Sequence, residues 1–282
     1  MVYATVSIVD VQDGTTKVVD RTAAWDSQVG AQVQWGSTDN ELFYNSVCQS
    51  EQAPHNVLSA TQSSGQLMVR GTMYHRTSRQ VKLLDCPIYH ISPDGKFGIA
   101  PNMLKIHHTQ KGYGIRPLDS VGSSTKNFHA TPDDGLYLTN TASGHCSLLV
   151  SLHQLATVAG IDTTSTPIYG FHSKFSSDGA LVMFVVRTLE RPVAPRTSSV
   201  RVQHLFVLDR GAVSIRRMIS WASYPFRPKT CAAHSTNTSS TTAQECPEVL
   251  LLDGNHPNWV PNSHLISMNL QKEKTIEGKV ST

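Results

Sequence analysis

A short unit of apolar and polar residues recurs four times along the chain. Each copy contains an aromatic or apolar residue, then a polar turn that includes Asp-Gly in two of the copies, then an apolar strand. The copies occupy residues 35–44, 91–99, 175–184 and 259–268. Asp-Gly suits the tight turn of a hairpin, and the alternation of flanking residues is that of half-buried strands. Each copy is therefore predicted to form a β-hairpin.

A second strand–turn–strand unit follows three of these copies. It covers residues 57–69, 135–150 and 204–216, and the chain opens with this unit alone at residues 4–19. Two successive hairpins make a four-stranded antiparallel meander, which is the blade of a β-propeller. The predicted fold class is therefore all-β, with a single propeller domain over residues 1–282.

The blades and half-blades leave two ways to complete the ring. Either the N- and C-terminal half-blades join to close a four-bladed ring, or the chain is a fragment of a six- to seven-bladed ring. Residues 102–132 are expected to be irregular, and residues 152–156 to form one helical turn. The predicted pieces are a half-blade at 2–20, blades at 31–72, 87–153 and 169–219, a half-blade at 254–271, and a polar loop at 228–247.

Composition and charge exclude several classes of protein. The chain has 282 residues, of which 16% are charged, and a formal net charge of +3. Because an ordinary soluble domain is about 25% charged, long solvated helices and coiled coils are not expected. The small net charge argues against a nucleic-acid partner, and no apolar run reaches the roughly 18 residues that a membrane helix needs. The first residues lack the features of a signal peptide, so we expect a cytoplasmic protein.

The five cysteines are scattered along the chain and do not form a disulfide framework by number or spacing. We expect them to be thiols in a reducing compartment. Only Cys231 and Cys246 flank a single loop, which makes them the one candidate pair.

Four polar side chains occupy related positions just before the hairpins. Gln34, His90, His172 and His256 each lie one or three positions before the apolar or aromatic residue that begins a copy. Offsets of one and three have the same parity, so these side chains share one face of the pleat. First strands of successive blades line a propeller's central channel, and three histidines and a glutamine meeting there predict a divalent metal site. The alternative is that each side chain simply hydrogen-bonds the backbone of a neighbouring blade.

The repeated pattern resembles the TolB-type β-propeller repeat, a WD40-like repeat, and within that superfamily the oligogalacturonate lyase-like propellers. The resemblance is carried by residues 24–25, 30–35, 89–95, 172–179 and 254–259. The lyase-like propellers use a His-rich, Gln-containing metal site, and the resemblance places it on Gln34, His90, His172 and His256. The implied cofactor is one divalent ion, Mn²⁺, Zn²⁺ or Ca²⁺.

The resemblance implies β-elimination from a uronate in an acidic oligosaccharide. The metal would neutralise the carboxylate beside the acidic C–H, and a base would remove the proton. Arg116 and His108 are candidates for orienting the carboxylate or acting as base, and His107 is a third. Two other functions stay open: a non-catalytic propeller that binds a protein or a glycan, and a truncated copy without activity.

Overall fold

The computed structural model of the protein is built mainly of antiparallel β-sheets with two short helices. The prediction of an all-β chain is thereby confirmed. The residues that the structure describes are 2–49, 67–110, 112–115, 128–164, 166–190, 200–222, 249–251 and 257–267.

The chain begins with a two-stranded antiparallel hairpin of β1 (Ala4–Val9) and β2 (Thr16–Thr22). The turn forms because Gly14 adopts a φ of +73° and the Asp13 carboxylate accepts a hydrogen bond from the backbone N–H of Thr15, at 2.8 Å. The predicted half-blade at 2–20 falls on this hairpin.

The second sheet is a four-stranded meander that extends beyond its predicted end. Its strands are β3 (Gln34–Trp35), β4 (Glu41–Gln49), β5 (Leu67–His75) and β6 (Val81–Leu83), paired in chain order. The sequence predicts its last two strands at residues 57–69, of which 57–66 lie outside the described residues. Because β5 pairs with the whole length of β4, it continues to His75, and a further strand follows it.

The third sheet is also a meander. Its strands are β7 (His90–Ile91), β8 (Phe97–Pro101), β9 (Gly135–Asn140) and β10 (Cys146–Ser151). All four lie within the predicted blade at 87–153.

Two helices adjoin this third sheet. The segment expected to be irregular contains α1 (Met103–Thr109), which begins where the Asn102 side chain accepts a hydrogen bond from the backbone N–H of Lys105. Instead of one helical turn, α2 (Leu152–Ala159) makes two, because Ser151 and Gln154 form a capping box at its start. Neither described helix has the length and apolar character needed to cross a membrane.

The fourth sheet has five strands. The meander of β11 (Ile168–Phe175), β12 (Leu181–Glu190), β13 (Val200–Asp209) and β14 (Ile215–Ala222) is antiparallel, and β15 (Val249–Leu251) pairs with β14 in parallel. The predicted blade at 169–219 falls on the antiparallel part.

A last hairpin consists of β16 (Asn258–Trp259) and β17 (Ile266–Ser267). It lies within the predicted half-blade at 254–271. The predicted polar loop at 228–247 lies outside the described residues.

The sheets pack against one another in chain order. We call β3, β7, β11 and β16 the leading strands; β3 lies beside β7, β7 beside β11, and β11 beside β16. Burial of apolar side chains drives this packing. The apolar clusters that join successive sheets include, in chain order, Val6 with Tyr44, Phe43 with Ile91, Ile99 with Phe184, and Phe171 with Trp259.

A disulfide links Cys86, which follows β6, to Cys146 at the start of β10, with both residues buried. The expectation that these cysteines are thiols is therefore wrong. The two residues are 60 positions apart in the chain, and only the packing of the second sheet on the third brings their Cα atoms to 5.8 Å. The predicted pair of Cys231 and Cys246 lies outside the described residues.

Candidate functional site

Residues of the leading strands β3, β7 and β11 line a cavity of about 430 Å³. Three of the four residues predicted as metal ligands, Gln34, His90 and His172, line it. These three residues come from β3, β7 and β11, so three successive sheets each contribute a polar side chain to the cavity. The polar and aromatic lining is completed by Gln32, Tyr89, Tyr113 and Lys174.

Gln34 joins the second sheet to the third through its side-chain amide. Its Oε1 accepts a hydrogen bond from the backbone N–H of Ile91 at 2.8 Å, and its Nε2 donates to the carbonyl of Tyr89 at 3.3 Å. The amide thus behaves like one more residue of β-pairing between two leading strands. This contact is the structural alternative that the sequence left open for this position.

His90 makes the corresponding connection from the third sheet to the fourth. Its Nδ1 accepts a hydrogen bond from the backbone N–H of Phe175 at 3.3 Å. Burial, and then the nearby positive charge of Lys174, lowers the pKa of His90 to about 4. The ring is therefore neutral at pH 7, with Nδ1 as acceptor and the proton on Nε2.

His172 is buried and is hydrogen-bonded through Nδ1 to the phenol of Tyr89. Its ring also packs edge-on against Phe171 and Tyr113, with ring centres 3.9 and 6.3 Å away. Burial raises the pKa of Tyr89, so the phenol keeps its proton at neutral pH. A tyrosine and a histidine from two neighbouring sheets thus form a hydrogen-bonded pair in the cavity wall.

Lys174 supplies a positive charge to the cavity. Its ammonium group donates to Oδ1 of Asn258 at 3.2 Å, and no carboxylate belongs to the described residues that line the cavity. Burial lowers the pKa of Lys174. Lys174 is not among the residues predicted from the sequence, although it lies two positions after His172 and therefore on the same face of β11.

Tyr113 reaches the cavity from a loop that Asp26 holds in place. One carboxylate oxygen of Asp26 accepts hydrogen bonds from the backbone N–H groups of Gln28 and Val29, at 2.9 and 2.7 Å. The other accepts from the N–H of Gly114 at 2.9 Å. Asp26 therefore fixes the two loops that border the cavity, and burial raises its pKa.

The remaining predicted site residues are His256, Arg116 and His108. His256 and Arg116 lie outside the described residues, although Pro257, the next residue after His256, lines the cavity. His108 is exposed in the last turn of α1, where its ring contacts that of His107 and does not line the cavity.

The described residues alone do not supply a full set of metal ligands. None of them form a group of three or more His, Cys, Asp or Glu side chains suited to a metal ion. His90 and His172 provide two imidazoles, whereas a catalytic zinc usually has three protein ligands, and Gln34 Oε1 already accepts a backbone hydrogen bond. The four-residue metal site that includes His256 stays a prediction.

Comparison of the chain with protein-family models and with curated protein sequences finds no match. The cavity itself is therefore the feature that points to a function.

Proposed function

We propose that the sheets are blades of a TolB-like β-propeller whose central channel is the cavity. Support comes from the order of the leading strands, each of which lies beside the next. In a four-bladed ring, β1 and β2 would be the outer strands of the blade that begins with β16 and β17. In a fragment of a larger ring, these two hairpins would belong to different blades.

We propose that the cavity binds an acidic oligosaccharide. The observation that carries this proposal is the ammonium group of Lys174 in a cavity whose described lining has no carboxylate. A partly buried cation without a counter-ion attracts an anionic group more strongly than an exposed cation does. The amides, imidazole and phenols around it suit hydroxyl groups, and the ring of Tyr113 offers a surface on which a sugar can pack.

The experiment measures binding of oligogalacturonates and of an uncharged galactose oligosaccharide by isothermal titration calorimetry. We expect the wild type to bind only the acidic ligand, and Lys174→Gln to weaken binding by at least about tenfold, the equivalent of 1.4 kcal/mol. Lys96→Gln, at an exposed turn position, is the matched control and should bind like the wild type. Equal affinity for the two oligosaccharides, or no binding of either, would contradict the proposal.

A second function, lyase activity by β-elimination, is favoured by the Tyr89–His172 pair beside Lys174. Lys174 would neutralise the uronate carboxylate, and His172, with its Nδ1–H donated to the Tyr89 oxygen, would accept the proton from carbon 5 at Nε2. The electrons of that C–H bond form the double bond between carbons 4 and 5. The bond from carbon 4 to the glycosidic oxygen then breaks, and the leaving oxygen takes up a proton.

Lyase activity has its own readout. The unsaturated uronate product absorbs in the ultraviolet, so a rise in absorbance measures the reaction. We expect His172→Ala and Tyr89→Phe to reduce this rise by at least about 100-fold, within the usual contribution of general base catalysis. If the wild type binds the oligosaccharide and no absorbance develops, the protein is a binding propeller and the lyase proposal fails.

We infer from the Cys86–Cys146 disulfide that the protein matures in an oxidising compartment. Stable disulfides are rare in a reducing cytosol. The expected cytoplasmic location is therefore the weaker of the two proposals. Counting free thiols in protein purified from its native cells under alkylating conditions would decide between them.

A further inference from the structure

Two arginine side chains lie side by side on the fourth sheet, beneath the C-terminal end of α1. Tyr169, Arg187 and Gln203 stand directly opposite one another across β11, β12 and β13, and all three are buried. Arg201 lies two positions before Gln203, on the same face of β13. Ile106 of α1 packs on this face, since it belongs to the same apolar cluster as Tyr169.

The acceptors that the described residues offer to these guanidinium groups are neutral. Arg187 donates through Nε to Oε1 of Gln203 at 2.8 Å and through Nη1 to Oε1 of Gln110. Arg201 donates through Nη1 to the same Gln110 oxygen, at 3.3 Å. The guanidinium carbon of Arg187 also lies 3.4 Å from the centre of the Phe171 ring. Two positive charges therefore share a single amide oxygen.

Part of each guanidinium has no partner in the described portion of the chain. Nη2 of Arg187 and Nε of Arg201 are buried with no hydrogen bond of good geometry to a described residue, although the neutral hydroxyl of Tyr169 interacts with the Arg187 guanidinium, and no described carboxylate forms an ion pair with either residue. Burial lowers the pKa of Arg187 to about 10, so the group is still charged at neutral pH. Buried charges are normally paired, because an unpaired one carries a large desolvation cost.

Helix capping explains only one of the two arginines. Nη2 of Arg201 donates to the carbonyl of Thr109 in the last turn of α1, at 3.4 Å, which is a usual way to satisfy the end of a helix. The hydrogen bonds of Arg187 to described residues go to side chains, and none goes to the backbone of α1. A neutral, flat side chain would pack on Phe171 equally well without bringing a second charge beside the first.

We propose that Arg187 and Arg201 together bind a small oxyanion, of the carboxylate or phosphate class. A guanidinium presents its N–H groups in a planar fork that matches the oxygens of either group, and two such forks neutralise a phosphate fully. The site is separate from the proposed oligosaccharide site, because neither arginine lines the cavity. An oxyanion bound by Arg187 and Arg201 would be a second anionic group that the protein recognises, in addition to the one in the cavity.

The experiment titrates inorganic phosphate, sulfate and monomeric galacturonate into the purified protein by calorimetry, at constant ionic strength. We expect saturable one-to-one binding of at least one probe, and the tightest probe distinguishes a phosphate-type ligand from a carboxylate. Arg201→Gln should weaken binding by at least about tenfold, and Arg187→Lys, which keeps the charge but loses the fork, should also weaken it. Arg216→Gln, an exposed arginine of the same sheet, is the matched control and should leave binding unchanged.

Folding of each variant is checked by circular dichroism and thermal melting, so that loss of binding is not mistaken for unfolding. Lys174→Gln should leave phosphate binding intact, which separates this site from the cavity. The proposal is overturned if the wild type shows no saturable binding of any probe. It is also overturned if folded Arg201→Gln and Arg187→Lys bind the probe as tightly as the wild type.

Discussion

The imidazole of His90 accepts a hydrogen bond from the backbone N–H of Phe175, 3.3 Å away, and so connects the third sheet to the fourth. This contact requires an unprotonated Nδ1, because a protonated imidazole has no acceptor. Another histidine, His204, is buried and contacts the hydroxyl groups of Ser220 and Thr188 at 2.8 and 3.3 Å. Two neutral histidines are therefore built into the packing of the sheets.

Mild acid should destabilise the protein through these histidines. Burial lowers the pKa of His90 and of His204 from 6.5 to about 4 in the folded state. Between these pH values the unfolded chain binds more protons than the folded protein does. The free energy of unfolding is therefore highest above pH 6.5 and decreases as the pH falls from 6.5 towards 4. Thermal melting between these pH values should show a steadily falling midpoint.

The matched variants of this first prediction are His90→Gln and His153→Gln. Replacing His90 should lower stability at neutral pH and make the melting midpoint less sensitive to acid. His153 is exposed on α2, so its replacement should leave the pH profile unchanged. A profile for His90→Gln as steep as that of the wild type would show that His90 is not a source of the acid sensitivity.

Reduction of the Cys86–Cys146 disulfide should lower the free energy of unfolding by roughly 4 kcal/mol, as expected for a cross-link that closes a loop of this length. Denaturant unfolding with and without reductant measures the difference, and Cys146→Ser should reproduce it. Cys48→Ser is the control, because Cys48 is not in a disulfide and its loss leaves the cross-link intact. Equal loss of stability in the two variants would contradict this prediction.

Gly135→Ala should destabilise the third sheet strongly. A Cβ at this position would lie 2.0 Å from the backbone carbonyl oxygen of Val150, and neither strand can shift without breaking its pairing. The expected loss is about 3 kcal/mol in denaturant unfolding, at the upper end of overpacking effects. At Gly211 the nearest atom to a new Cβ is an oxygen of the Asp209 side chain at 3.3 Å, so Gly211→Ala should cost much less. Similar losses for the two variants would refute the close approach of β9 and β10.

Asp26→Asn should loosen the loop that carries Tyr113. An amide has one acceptor atom in place of two carboxylate oxygens, so the bond from Gly114 or those from Gln28 and Val29 are lost. We expect a loss of about 1–3 kcal/mol of stability, the cost of leaving a buried partner unsatisfied. Binding of oligogalacturonate to the cavity should weaken as well, as measured by calorimetry.

The control for this last prediction is Asp133→Asn, since Asp133 is exposed in the loop before β9. It should leave both stability and ligand binding unchanged. If Asp26→Asn binds the ligand like the wild type, Tyr113 does not contribute to the cavity as proposed.

Repeated turn chemistry made the strands predictable. The Asp94-Gly95 and Asp178-Gly179 turns use the same local contacts, in which a serine two positions earlier donates to the aspartate and the glycine takes a positive φ. Such contacts depend only on neighbouring residues, so the sequence contains all the information that specifies them. Strand ends were less predictable: β5 continues to His75 because β4 is available along its whole length.

The site was predictable in part, for a similar reason. Because Gln34, His90 and His172 lie one or three positions before their hairpins, the alternation of side chains along a strand placed them on one face. The structure brings these three to the same cavity. Their chemical role was not accessible from parity, because it depends on the neighbouring sheet. Gln34 and His90 accept hydrogen bonds from the backbone N–H groups of Ile91 and Phe175, and these contacts exist only after the sheets pack.

The sequence by itself determined an all-β chain of repeated hairpins and the face of each leading strand that carries polar side chains. Only the tertiary structure decided that Cys86 pairs with Cys146, that Lys174 is a cation in a cavity without a described carboxylate, and that Arg187 lies beside Arg201. The physical reason is that turns and strand alternation arise from contacts between near neighbours. A disulfide, the charge of a cavity and a shared acceptor depend on side chains from different sheets, and these meet only when the apolar faces between the sheets are buried.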